Sequence, residues 1–135
     1  MPRLLALLLL ASAGCHRFPD DTPVEAYRSL LSAVQRDDDA RTLTLLSERS
    51  RSALLARADT LNKASGGSLH STPVDLLQAD PRPPGPTQVT VKSEDGRTAV
   101  LAVTTHGGGV QEVHLVNEAG HWRVVIPALE KHADG

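Results

Sequence analysis

Cys15 is the only cysteine of the 135-residue chain, and six histidines and a single tyrosine are the other residues that invite chemistry. One thiol excludes an internal disulfide and a multi-cysteine metal site. His106, His114 and His121 fall around a bend and a hairpin, and three imidazoles can hold zinc. Neither His-x-His nor His-x-x-x-His spacing occurs, however. A turn at Glu118-Ala119-Gly120 pairs His114 with about Arg123 or Val124, leaving His121 nearer Val116 or Asn117. These histidines therefore read as exposed strand and turn residues, and no metal or cofactor is expected. Tyr27 can offer a phenol to a pocket, yet its position three residues after Val24 also suits a core stripe with a wet tip. Gly107-Gly108-Gly109 lacks the lysine, hydroxyl residue and following helix of a phosphate loop and reads as a turn. No Gly-x-Ser-x-Gly elbow is present. No catalytic constellation is legible.

Cys15 takes its meaning from what precedes it. Leu4 to Ala11 is an unbroken apolar run behind Arg3, followed by the small residues Ser12, Ala13 and Gly14. The run is far below the roughly 20 residues that a spanning helix needs. A reactive free thiol is the competing reading, but only His16 and Arg17 follow to depress its pKa. Ser12-Ala13-Gly14-Cys15 resembles the lipobox of bacterial lipoproteins. The resemblance implies cleavage between Gly14 and Cys15, acylation of Cys15, and a mature protein attached to a membrane of the cell envelope and facing the periplasm. His16 stands where some bacteria place an aspartate as an inner-membrane retention signal, which points to the outer membrane.

Without residues 1–14 the remainder suits one small domain. Phe18, Tyr27 and Trp122 are its only aromatics, so Leu, Val and Ala must fill the core. The full chain carries 14 basic and 16 acidic residues, and Asp37-Asp38-Asp39 is its longest like-charge run. That balance provides no basic footprint for nucleic acid, and few aromatics are available for stacking on bases.

Residues 15–21 read as a tether. Thr22 then caps a helix with Pro23 at its first position and Glu25 three residues after the cap. Val24, Tyr27, Leu30, Leu31 and Val34 form its apolar stripe. The three aspartates break that helix and cap a shorter one from about Ala40 to Leu46. Ser47 caps a third helix, with Leu54, Leu55, Ala58 and Leu61 on one face. The arginine–serine stretch 47–52 is too short for an RNA-binding segment and reads as the solvated start of that helix. Gly66-Gly67 ends the helical half, 22–62, and Thr72-Pro73 starts one more short turn. Residues 63–86 read as a Gly/Pro-rich connector, stiffened by Pro81, Pro83, Pro84 and Pro86 rather than serving as a docking ligand. From 87 to 127 the period becomes two, with turn signals at Asp95-Gly96, at 106–109 and at 118–120. Pro127 closes the last strand, and 128–135 read as a polar tail. The expected fold class is α+β, with N-terminal helices packed on a curved antiparallel sheet of about four strands.

Three stretches sharpen that expectation: Pro-Val-Glu-Ala-Tyr-Arg-Ser-Leu-Leu (23–31), Glu94 to Val100, and Val113 to Val124. With the acidic break and Leu45-Leu46-Ser47, they resemble the cone-shaped nuclear transport factor 2-like superfamily, over most of residues 22–127. The superfamily includes isomerases, dehydratases and cyclases as well as binding and accessory domains. The resemblance makes Tyr27 and Trp122 candidate pocket residues but transfers no catalytic residue. The expected function is a lipid-anchored, non-enzymatic binding or accessory domain, its partner a protein or a small apolar ligand. The alternatives are an isomerase- or cyclase-like enzyme acting in the cone, and a structural subunit of an envelope complex.

Overall fold

The computed structural model describes residues 20–77, 88–105 and 107–131. The segment 1–19, the prolines of 78–87, His106 and residues 132–135 lie outside the described residues. The described chain is α+β: five helices and an open four-stranded antiparallel sheet of order β1-β2-β3-β4.

Helix α1 spans Pro23–Gln35, and the Thr22 hydroxyl accepts from the Glu25 N–H at 3.2 Å. It ends because Asp37 takes a left-handed φ of 55°. The Asp38 N–H then reaches back to the Ala33 carbonyl at 2.9 Å and closes the last turn. Asp38 in turn caps α2, Asp39–Leu45, by accepting from the Arg41 N–H at 3.1 Å. The triple aspartate thus divides its work between stopping one helix and starting the next. Leu46 leaves α2 in extended backbone, and the Ser47 N–H donates to the Val124 carbonyl at 2.9 Å. Ser47 caps α3, Glu48–Ala64, which ends at Gly66 and Gly67, both of positive φ. Leu54 and Ala58 are buried on α3, but Leu55 and Leu61 are exposed. The buried stripe is therefore narrower than the four-residue face the sequence suggested. In α4, Pro73–Leu77, Thr72 and Asp75 cap each other reciprocally.

The strands are β1 (Gln88–Glu94), β2 (Thr98–Thr104), β3 (Val110–Glu118) and β4 (His121–Val125). Period-two alternation assigns Ala99, Leu101, Val103, Leu115, Trp122 and Val124 to the helix-facing side, where all are buried. Ala26 and Ala33 let α1 approach that face closely, with Leu30 and Val34 completing the contact. The β3–β4 turn contains only Ala119 and Gly120, both with positive φ. Glu118 therefore pairs with His121, and His114 with Val125. The register differs by one to two residues from the sequence expectation, because Glu118 belongs to the strand and not to the turn. Beyond Pro127 the chain does not run on as tail at once. Pro127–Glu130 forms α5, which buries Leu129. A proline after a strand also suits the first position of a helix, and that use prevails here.

Candidate functional site

Two polar constellations fasten the two ends of the described chain to the rest of the fold. The first centres on Asp20, whose backbone carbonyl accepts from the Trp122 N–H at 3.0 Å along the free edge of β4. His121 and Arg123 flank Trp122, so their side chains share the opposite face of the strand. Arg123 donates to the Asp20 carboxylate at 2.9 Å, and the His121 Nδ1 lies 3.1 Å from it. The ion pair is nearly dry, with the Asp20 and Arg123 side chains 11% and 14% exposed. Screening is weak in such a setting, and breaking one partner is costly.

The second constellation centres on Glu130. One of its carboxylate oxygens accepts from the Ser47 and Ser50 hydroxyls at 3.2 and 3.1 Å. The Ser50 hydroxyl also accepts from the Ile126 N–H at 2.9 Å. Ser50 is fully buried and engaged in both directions, so it acts as a latch between α3 and α5 and not as a nucleophile.

Beside Glu130, on the sheet face turned away from α1, runs an open groove of about 750 Å³. Val100 and Val125 line its floor on either side of His114, with which both are paired, and Val116 lies two residues farther along β3 on the same face. Arg49, Glu118 and Glu130 are also part of its lining. Glu118 accepts from the Glu48 N–H at 3.0 Å, which ties the first turn of α3 to this side of the sheet. Farther along β3, Glu112 pairs with Lys92 of β1, and the ammonium holds the Glu112 carboxyl below its ordinary range. A lining of valines and charged side chains can accept an apolar body that carries polar groups.

The residues singled out from sequence lie elsewhere. Trp122 is buried in the core on the opposite sheet face, and Tyr27 packs half-buried against the same core. Burial raises the Tyr27 phenol pKa, and its hydroxyl has no hydrogen-bond partner among the described residues. His114 and His121 do share the groove side of the sheet, paired with Val125 and Glu118. Among the described residues no three His, Cys, Asp or Glu side chains gather as a metal site. Gly14, Cys15 and His106 lie outside the described residues. Sequence reasoning missed Asp20, Ser47, Ser50 and Glu130 as a set. Their partners are 76 to 103 positions away in most cases, and no local pattern announces such contacts. Among the described residues no helix is long and apolar enough to cross a membrane. Comparison of the chain with protein-family models, with curated proteins and with solved structures finds no match.

Proposed function

We propose that this chain is a lipid-anchored protein of the bacterial cell envelope, whose domain is a non-enzymatic binding or accessory module of the nuclear transport factor 2-like cone type. Cleavage after Gly14 and acylation of Cys15 attach it to the membrane, with the domain facing the periplasm. One acyl chain anchors a protein only marginally, whereas two or more hold it stably. The observation that carries the binding role is the valine-lined groove of about 750 Å³ on the sheet face opposite α1. Its lining combines valines with His114, Arg49, Glu118 and Glu130, and such a mixture suits an apolar body that carries polar groups. The helix side supports the same reading, since Leu, Val, Ala and Trp122 side chains fill the space between helices and sheet.

The reading is tested by photo-crosslinking of the lipidated protein in membranes, comparing wild type with Val116→Glu. A charge on the groove floor is expected to abolish at least one crosslinked species while leaving the circular dichroism spectrum native. Identical crosslinks for the two proteins contradict a role for the groove.

A further inference from the structure

The meander sends its turns to two opposite ends of the sheet. Residues 95–97, between β1 and β2, and 119–120, between β3 and β4, share one end. The two turns are tied together there, the Asn117 N–H donating to the Arg97 carbonyl at 2.7 Å. Residues 107–109, between β2 and β3, mark the other end. Asp20 is fastened to the first end through the Trp122 N–H, His121 and Arg123, all at the start of β4. Cys15 lies five residues before Asp20, and five residues of chain reach at most about 18 Å. A seven-residue strand rises about 23 Å, more than that tether can span, so the two ends are not equivalent with respect to an anchor at Cys15.

We propose that the end of the domain carrying the 95–97 and 119–120 turns faces the lipid headgroups, held in that orientation by the Asp20 clamp. The inference rests on acylation of Cys15 and deepens it, because it assigns the surface that meets the bilayer. Asp21, Glu94, Asp95 and Arg97 are exposed at or beside that end, a mixed and slightly acidic set that provides no electrostatic attraction to anionic lipid. Orientation therefore comes from the few residues between Cys15 and Asp20 and not from a basic patch. Were Asp20 free, the tether would lengthen by the residues up to the start of α1.

The experiment uses the full acylated chain in vesicles of phosphatidylethanolamine and phosphatidylglycerol that contain a headgroup-labelled energy acceptor. Acylation blocks the Cys15 sulfur, so Arg97→Cys or Gly107→Cys supplies the only thiol for a donor dye. Position 107 has open space around a new Cβ. With the ends about 23 Å apart, transfer from position 97 is expected to exceed that from position 107 about twofold or more. Asp20→Ala, with Asp20→Asn as the gentler variant, is expected to bring the ratio toward one without release from the vesicles. Equal or reversed transfer in vesicle-bound wild type overturns the orientation and leaves acylation standing. Failure of the chain to acquire acyl groups overturns both. A ratio unchanged in a natively folded Asp20 variant overturns the role of the clamp.

Discussion

Asp20 shows how a single residue converts a loose entry into a defined one. Its carboxylate is the counter-ion of Arg123 and a partner of His121, and its carbonyl covers one donor of the β4 edge. The pair is sufficiently buried that solvent cannot replace either partner at low cost. Thr42 provides the contrasting case. Its side chain is fully buried in α2, and its hydroxyl has no hydrogen-bond partner. An unmet buried hydroxyl forfeits its hydration without recompense. Thr42→Val keeps the branched shape and removes that group, so it is expected to stabilise the fold by about 1 kcal/mol. Urea denaturation monitored through Trp122 measures the change, and a loss of stability would show that the hydroxyl is satisfied.

At the scale of elements, caps and turns determine where each segment starts and stops. Ala119 holds a φ of 54° beside Gly120 at 85°, the pattern of a two-residue hairpin turn that favours Asn-Gly. A Cβ in left-handed backbone costs roughly 1–2 kcal/mol, and asparagine tolerates that region better than alanine. Ala119→Asn is expected to raise the melting temperature, corresponding to about 1 kcal/mol or less of stability; a fall in melting temperature counts against the turn described. The β1–β2 hairpin is pinned differently, by Asp95 accepting from the Arg97 and Thr98 N–H groups at 2.9 and 2.7 Å. The Thr98 and then the Arg97 hydrogen bond lower the Asp95 pKa. A carboxyl lowered in the folded state stabilises the fold above its unfolded pKa of about 4, and that contribution is lost as pH falls through the lower folded value. Asp95→Asn should therefore be less stable than wild type at pH 7, with the gap narrowing below about pH 4. Denaturation at both pH values checks it, and a gap independent of pH refutes the charge argument.

These elements also explain what sequence alone discloses. Thr22-Pro23, Asp38 and Ser47 are legible as caps because capping uses a side chain within three residues of its partner. The strands are legible from period two. The β3–β4 register is offset in the sequence reading because Glu118 suits a turn by composition, and only backbone geometry assigns it to the strand. Helix α5 is hidden because Pro127 ends strands and starts helices with the same chemistry. The groove is the least legible feature. Val100, Val116 and Val125 come from three strands, and nothing in any one strand marks its outward valine as part of a shared floor.

For the whole molecule, the account joins two halves of the chain that never meet in sequence. The proposed lipid anchor at Cys15 lies five residues before the Asp20 clamp on the folded part. The interior is packed with aliphatic side chains, and the groove lies on the outer sheet face. On the proposed anchoring, so short a link would keep the groove near the bilayer. The most direct measurement is intact-mass and peptide mass spectrometry of the mature N-terminus, on protein extracted from the membranes of a bacterium producing the full chain. The account predicts a first residue at Cys15 carrying acyl modification, with Met1 to Gly14 removed. An N-terminal peptide that retains residues 1–14, or an unmodified Cys15, contradicts it.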